Sequence, residues 1–136
     1  MSKTYVLDAN AALVYLENGN GADRVGSLLK SAFRGDIHLL MSVLNWGEVF
    51  YHSFQERGEE AARHAISDLL RLPIDPVSVD LEQTLKAGEI KVRHKIPYVD
   101  CVAAALADLR DATLVTSDRD FERLGRHAKI LWIARA

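Results

Sequence analysis

The chain has 136 residues, of which 49% are hydrophobic and 26% charged, a balance that is ordinary for one globular domain with a single core. Its formal net charge of -2 excludes a general attraction to nucleic acid or anionic membrane, so such a partner would need a local basic patch. The single cysteine, Cys101, excludes an internal disulfide and suits a reducing compartment. No apolar run approaches the ~20 residues of a membrane span, so we expect a soluble cytoplasmic protein.

The first predicted element is a short buried strand that ends on a carboxylate. Residues 4–7 are rich in β-branched and aromatic side chains and lack the polar alternation of a half-exposed strand. Asp8 follows at the carboxyl end of this strand, where ligand sites form in open α/β sheets. Asn10 is predicted to cap a helix that runs to Leu16.

A second carboxylate lies in a helix with two different faces. A helix is predicted from about residue 23 to the turn at Gly35, then a strand over residues 37–41, with Ser42 as the N-cap of the next helix. At about 100° per residue, an aromatic ridge on that helix lies opposite a polar face. The ridge consists of Val43, Trp46, Phe50 and Phe54. The polar face consists of Asn45, Glu48 and His52.

The rest of the chain continues the alternation of helices and strands. Gly58 ends the preceding helix, and helices are predicted over residues 59–72, 81–95 and 97–110. A short edge strand is predicted within residues 73–79, and further strands over 113–116 and 129–133. This order predicts an α/β fold in one domain, residues 1–136: a three-layer α/β/α arrangement whose mainly parallel central sheet of four to five strands is flanked by helices. The order of the strands does not follow from it.

Four carboxylates occupy related positions in the predicted fold. Asp8 and Asp118 follow strands, Glu48 lies in the helix after the second strand, and Asp100 lies near the start of its helix. Because parallel strands end at one edge of the sheet, we expect these groups to converge. Converging carboxylates either take up protons or hold a cation. Oxygen ligands without a His or Cys cluster select a hard ion, Mg²⁺ or Mn²⁺.

Such a site suits the hydrolysis of a phosphodiester. A divalent ion activates water near neutral pH and neutralises the charge that builds on phosphoryl oxygens. Basic residues flank Asp100 and Asp118 in the sequence, which supplies the local positive charge that a polyanion requires. The predicted RNA contacts are Arg93, Lys95, Arg119 and Arg123.

Four short motifs, taken together, carry a resemblance to a known family. They are Asp8-Ala9-Asn10; Ser42 with Glu48 six positions on; Tyr98-Val99-Asp100 leading into Ala103-Ala104-Ala105; and Val115-Thr116-Ser117-Asp118-Arg119-Asp120-Phe121. In order and spacing they resemble the motifs of the PIN domain, and most of all those of the VapC-type toxins of bacterial and archaeal toxin-antitoxin pairs. The resemblance spans nearly the whole chain.

The resemblance implies an endoribonuclease that depends on Mg²⁺ or Mn²⁺, forms a homodimer and is inhibited by a cognate antitoxin. It implies an acidic cluster made of Asp8, Glu48, Asp100 and Asp118, with Asp8 and Asp100 as direct metal ligands. Hydrogen-bonding support would come from Asn10, Ser42 and Thr116. Asp120 leaves open which carboxylate of the Asp118-x-Asp120 pair faces the metal. Asn45 stands where many relatives carry Thr or Ser.

Two other functions stay open at the level of sequence. A Mg²⁺-dependent phosphotransfer domain, such as a receiver or a phosphatase, would also place an aspartate after the first strand, but Asn10 replaces the second aspartate of a phosphatase motif. A non-catalytic binding module would keep the fold and only part of the site. Each acid also has an ordinary explanation, because Asp8 or Asp118 could be a helix cap, Glu48 a solvated residue, and Asp100 a partner of the helix dipole.

Overall fold

In the computed structural model, which describes residues 3–134, a five-stranded parallel sheet lies between two layers of helices. The strands are β1 (Lys3–Leu7), β2 (Ile37–Ser42), β3 (Ile74–Val77), β4 (Thr113–Thr116) and β5 (Ile130–Trp132). The helices are α1 (Ala9–Leu16), α2 (Ala22–Phe33), α3 (Val43–Arg57), α4 (Glu59–Leu70), α5 (Leu81–His94) and α6 (Tyr98–Leu109). A 3₁₀ segment, Arg119–His127, joins β4 to β5. The predicted three-layer α/β class is confirmed.

The strand order, which the sequence did not predict, is β3-β2-β1-β4-β5. All four strand pairs are parallel, and β1 pairs with β2 on one side and with β4 on the other. From β1 the chain moves outward to β2 and β3, then crosses back to β4. The order therefore reverses between β1 and β4, and ligands of doubly wound sheets bind in the crevice at such a point.

The two faces of the sheet build two cores because neighbouring residues of a strand point to opposite sides. On one face, Val6, Leu40 and Leu114 pack against α5 and α6. On the other, Leu7, Leu39 and Val115 pack against α1, α2, α3 and α4. β3 lies at an edge, as its proline predicted, and pairs with β2 alone. No helix within residues 3–134 is long and apolar enough to cross a lipid bilayer.

The structure corrects the predicted N-cap of the first helix and adds two local features. Asp8, rather than Asn10, is the N-cap of α1. The aromatic ridge of α3 is only partly buried, because Val43 and Phe54 are exposed while Trp46 is buried. The buried side of that helix consists of Asn45, Trp46, Val49 and Ser53, so two of its polar side chains face inward. The segment after β4, for which no element was predicted, forms 3₁₀ turns that bury Phe121 and Leu124.

Gly21 allows the turn between α1 and α2 to pack against the end of β5. Its backbone is in the left-handed region, with φ of 105°, where only glycine is unstrained. A Cβ at this position would lie 2.7 Å from the backbone oxygen of Ile133. The turn and the chain after β5 therefore meet backbone to backbone, and this contact fixes the start of α2 at the carboxyl edge of the sheet.

We predict that Gly21→Ala lowers the free energy of unfolding by about 1–3 kcal/mol, since it combines an unfavourable φ with a backbone clash. The matched control is Gly88→Ala in the middle of α5, where an added Cβ meets no atom within 4 Å. That change should raise the free energy of unfolding by about 0.5–1 kcal/mol through helix propensity. Urea denaturation of both variants measures the two effects, and equal stability of the two would contradict the prediction.

Candidate active site

The carboxylates cluster at the point where the strand order reverses. Asp8 directly follows β1, and Asp118 lies two residues beyond the end of β4, the strand that pairs with β1. Asp100 lies in the first turn of α6, and Glu48 lies in the second turn of α3. All four side chains line one cavity of about 200 Å³. Four acids that are far apart in sequence therefore share one site.

Asp8 is the most buried of these acids and is held by two hydrogen bonds. Its side chain is only 3% exposed. One carboxylate oxygen accepts from the backbone N–H of Ala11 at 2.8 Å, which is the N-cap bond of α1. The other accepts from the Thr116 hydroxyl at 2.5 Å. Asp8 is thus both the N-cap of α1 and a member of the acidic cluster. Its capping role does not exclude a role at the site.

Thr116 and Asn10 fix the loop that carries Asp118. The Thr116 hydroxyl, besides donating to Asp8, accepts from the backbone N–H of Asp118 at 2.9 Å. The side-chain oxygen of Asn10 accepts from both the backbone N–H and the hydroxyl of Ser117, at 2.9 and 2.7 Å. These bonds tie α1 and β1 to the end of β4, and they hold Asp118 beside Asp8.

Glu48 is oriented by a buried amide on its own helix. The Nδ2 atom of Asn45 donates to a Glu48 carboxylate oxygen at 2.7 Å, and Asn45 is only 1% exposed. The Asn45 side-chain oxygen has no hydrogen-bond partner among residues 3–134. Asn45 therefore serves mainly as a donor to Glu48, a role that a shorter Ser or Thr side chain would fill with a different geometry.

Asp100, Asp118 and Asp120 form the tightest group of oxygens. Each offers one carboxylate oxygen, and these three atoms all lie within 4.8 Å of one another. The backbone N–H of Asp120 donates to Asp118 at 2.9 Å, which caps the 3₁₀ segment and keeps the two carboxyl groups on one turn. Asp100 is half-buried and Asp120 is exposed, so the group spans the mouth of the cavity.

Burial and the nearby carboxylates raise the pKa values of Asp8, Asp100 and Glu48. Burial raises the pKa of Asp8 to about 7, although the hydrogen bonds from Thr116 and Ala11 act in the opposite direction. Burial also raises the pKa of Asp100 to about 7, and the carboxylates of Asp118 and Glu48 add to the shift. The pKa of Glu48 is raised by burial as well, against the hydrogen bond from Asn45. Raised pKa values of this kind cluster at functional sites.

The donor set fits a hard divalent cation. In the described part of the chain no lysine or arginine lines the acidic cavity, and His52 is the one basic side chain among its lining residues. Carboxylate oxygens without nitrogen or sulfur donors are the ligands that Mg²⁺ and Mn²⁺ prefer. A divalent ion beside Asp100, Asp118 and Asp120, whose carboxylate oxygens lie within 4.8 Å of one another, would offset the burial and the repulsion that raise the pKa values of Asp8 and Asp100.

The remaining predicted site residues lie outside the acidic cavity. Ser42 is buried as the N-cap of α3, where its hydroxyl accepts from the N–H of Leu44 at 3.3 Å. Arg93 pairs with Glu89 and lines a separate cavity of about 640 Å³ beside α5 and α6. Arg123 donates to the backbone oxygen of Lys95, the residue that ends α5. Arg119, which follows Asp118 directly, stacks on the ring of Trp132.

Two residues of the cavity were not singled out as site residues from the sequence. Tyr51 and His52 both line it, one turn of α3 after Glu48. The Glu48 carboxylate raises the pKa of the Tyr51 phenol, and Asp100 adds to the shift, which reflects their closeness. Their spacing from Glu48 could have indicated them in the sequence, because helix residues three and four positions apart lie on the same face.

Comparison with known proteins agrees with this geometry. The family model described as "PIN domain" matches residues 5–127. Solved structures with the same fold include VapBC2 from Rickettsia felis bound to a promoter DNA fragment, with a TM-score of 0.76, 18% identity, and coverage of 94% of this chain and 97% of that one. No curated protein sequence matches.

Two further structures share the fold at similar identity. DNA-bound VapBC from Salmonella typhimurium has a TM-score of 0.75 and 18% identity, and the match covers 98% of this chain and 100% of that one. VapC20 from Mycobacterium tuberculosis, described as a sarcin-ricin loop cleaving toxin, has a TM-score of 0.69 and 18% identity, with coverage of 89% and 95%.

We predict that the protein without metal loses stability as the pH rises from about 4 to about 7. The folded-state pKa of Asp100 lies above the ordinary value of 3.8, so the folded protein binds this proton more tightly than the unfolded chain. The free energy of unfolding therefore falls over this range, because the unfolded chain has released the Asp100 proton while the folded protein still binds it, and Asp8 acts in the same direction. Thermal denaturation in EDTA across this range measures the fall.

Asp100→Asn should flatten this pH profile and raise the midpoint of denaturation at about pH 8, because the neutral amide does not repel Asp118 and Glu48. Asp36→Asn is the matched control, since Asp36 is an exposed acid that pairs with Arg34 at the other end of the sheet. An unchanged profile in Asp100→Asn, or an equal change in Asp36→Asn, would contradict the prediction.

Proposed function

The chain belongs to the PIN domain family, and from this membership together with its acidic cavity we propose that it is a VapC-like toxin: a metal-dependent endoribonuclease that hydrolyses RNA phosphodiester bonds. We propose that residues 1–136 act as one domain in the cytoplasm. The observation that carries the proposal is the convergence of Asp8, Glu48, Asp100 and Asp118 on one cavity at the reversal of the strand order.

The acidic residues are proposed to have different roles in metal binding, according to how deeply each is buried. Asp8 and Asp100, whose pKa values are both raised to about 7, are proposed as the direct ligands of Mg²⁺ or Mn²⁺, because a cation relieves the cost of ionising them. Asp118 or Asp120 would complete the site directly or through water. A divalent ion, when bound, supplies a hydroxide near neutral pH and neutralises charge on the phosphoryl oxygens.

Glu48 is placed to accept a proton. Its carboxylate accepts from Asn45 at 2.7 Å and also has a hydrogen bond from the Tyr51 side chain, so two neighbours on α3 orient it at the cavity. Its raised pKa brings it nearer to the pH at which a base both accepts and releases protons readily. We assign Glu48 as the residue that takes the proton from the attacking water.

Asn10, Thr116 and Ser42 are proposed as positioning residues. Thr116 joins Asp8 to the backbone of Asp118, and Asn10 holds the neighbouring Ser117. Ser42 acts at a distance, since it caps α3, the helix that carries Glu48. None of the three needs to touch the substrate for its loss to displace a carboxylate.

The partners of the protein are proposed from its structural neighbours. The related structures include a toxin-antitoxin complex from Klebsiella pneumoniae and the VapBC complexes named above, so we propose that a cognate antitoxin inhibits this chain and that the chain forms a homodimer. RNA is the proposed substrate. Among the predicted RNA contacts, Arg119 lies beside the acidic cavity through Asp118, whereas Arg93, Lys95 and Arg123 lie near the end of α5.

We predict that the purified protein cleaves RNA only when Mg²⁺ or Mn²⁺ is present. Asp8→Asn and Asp100→Asn should each lower the cleavage rate at least about a hundredfold, because each removes a charge that holds the ion. Cleavage of a labelled RNA, followed on denaturing gels with and without EDTA, measures the rates. Asp36→Asn, which is remote from the cavity, serves as the control and should cleave at the wild-type rate.

The same assay separates the competing functions. Metal-dependent labelling of Asp8 by a phosphodonor, with RNA left intact, would replace the nuclease proposal with phosphotransfer. Metal binding without either activity would indicate a binding module. Circular dichroism of each variant would confirm that a lost activity is not a lost fold.

A further pair of variants decides which carboxylate of the Asp118-x-Asp120 pair faces the metal. We predict that Asp118→Asn lowers cleavage much more than Asp120→Asn, since Asp118 lines the cavity and Asp120 is exposed. Titration of Mg²⁺ against the cleavage rate should show a raised metal requirement in Asp118→Asn. The reverse order of effects would assign the metal to Asp120.

A further inference from the structure

A surface pocket with two arginines lies beside the acidic cavity and is not explained by metal binding. Its volume is about 790 Å³, and it is lined by Asn20, Arg24, Arg119, Trp132, Ile133 and Ala134. We call it the Arg24–Arg119 pocket. It combines the turn before α2, the start of the 3₁₀ segment and the residues around the end of β5.

The fold places Arg24 at this pocket through two backbone contacts. The backbone N–H of Ile133 donates to the oxygen of Thr116 at 3.1 Å, which keeps the chain after β5 next to the end of β4. Gly21 packs against the backbone of Ile133 from the other side. Arg24 follows in the first turn of α2, and its guanidinium donates to the backbone oxygen of Trp132 at 2.7 Å.

Arg119 enters the same pocket from the opposite side. Its guanidinium lies over the Trp132 ring, 4.7 Å from the centroid, and donates to the backbone oxygen of Ala134 at 3.2 Å. Its other contact is a 3.3 Å bond to Glu122, whose side chain is 58% exposed. Stacking and a carbonyl bond restrict the guanidinium, so less entropy is lost when it binds a ligand.

The positive charge of the pocket is largely unbalanced. Within residues 3–134, Arg24 makes no ion pair, and the one partner of Arg119 is the exposed Glu122. Backbone carbonyls orient the two guanidiniums without neutralising them, and several of their N–H donors remain free. Two oriented guanidiniums with free donors suit a phosphate group, which they can bind through paired N–H···O bonds.

Arg119 connects this pocket to the acidic cavity. Asp118 lines the cavity and Arg119 lines the pocket, and the Cα atoms of consecutive residues are about 3.8 Å apart. Because the two residues are consecutive, an RNA strand with one phosphate at Asp118 is long enough to bring a neighbouring phosphate to Arg119. The acidic cavity itself repels a polyanion, so a basic site next to it is needed to hold the strand.

We propose that the Arg24–Arg119 pocket binds a backbone phosphate of the RNA strand next to the phosphodiester that is cleaved. The proposal rests on the ribonuclease function proposed above and assigns Arg24, which sequence analysis did not select, to substrate binding. The ligand is a phosphate rather than a base, because the ring face of Trp132 is already covered by Arg119. Binding at this pocket is therefore independent of base sequence.

The test measures RNA binding in the absence of cleavage. Fluorescence anisotropy of a short fluorescein-labelled single-stranded RNA, in EDTA and over a series of salt concentrations, gives the affinity and its salt dependence. Arg24→Gln and Arg119→Gln should each weaken binding roughly three- to tenfold and reduce the slope of log K against log salt by about 0.7, the value for one phosphate contact on a single strand. Changes in base sequence should not alter the loss.

Arg34→Gln is the matched control, since Arg34 lies at the other end of α2 and pairs with Asp36. It should leave both affinity and slope unchanged. Arg119→Lys should retain most of the slope, because the charge remains. If either glutamine variant fails to fold, Asn20→Asp tests the pocket instead, since it adds a negative charge at an exposed position and should also weaken RNA binding.

The outcomes separate this proposal from the nuclease proposal. One outcome is that Arg24→Gln and Arg119→Gln bind RNA with the affinity and salt slope of the wild type, while the protein cleaves RNA. That outcome would overturn the pocket assignment and leave the nuclease proposal intact. Loss of RNA affinity in these variants, in a protein that shows no cleavage with any metal, would support the pocket and remove the nuclease. Equal binding of a polyglutamate peptide at the pocket, or no RNA binding by the wild type, would overturn the assignment to RNA.

Discussion

The hydrogen bond between Asp8 and Thr116 holds the candidate site together. It joins the ends of β1 and β4, the two strands between which the chain reverses its direction across the sheet. Thr116 also fixes the backbone of Asp118, so one hydroxyl sets the relative position of two carboxylates. Because Asp8 caps α1 at the same time, its carboxyl group cannot turn away from the cavity without also releasing the helix.

The distribution of charge reconciles a slightly acidic protein with the RNA substrate that we propose for it. The carboxylates lie in a cavity that no lysine or arginine of residues 3–134 lines, and this lining suits the divalent cation that we propose. Arg24 and Arg119 lie immediately outside it, around Trp132. The net charge of -2 does not show that acidic and basic side chains are separated in space, because opposite charges cancel in the sum.

The sequence predicted the elements and the acids better than it predicted their surroundings. Asp8 and Asp118 could be placed because parallel strands end at one edge whatever their order. The strand order and the contacts of the basic residues depend on tertiary packing, which the sequence does not show directly. For this reason the sequence could not place Arg93 in a separate cavity, or Arg24 at the edge of the sheet where the strands end. The buried side of α3 could not be found from hydrophobicity, because Phe54 is exposed while the polar residues Asn45 and Ser53 are buried. The capping role of Asp8 depended on its extended backbone, which residue type alone does not show.

The packing of α6 determines the chemistry at its N-terminus. Residues 101–107 of this helix are all buried, and four of them are alanines. Small side chains let the helix axis approach β1, β2 and β4 closely, and Asp100 in the first turn is carried to within 4.8 Å of the carboxylate oxygens of Asp118 and Asp120. Larger residues on this face would move the helix outward and take Asp100 away from the other acids. The core on this side of the sheet therefore sets the spacing of the proposed metal ligands.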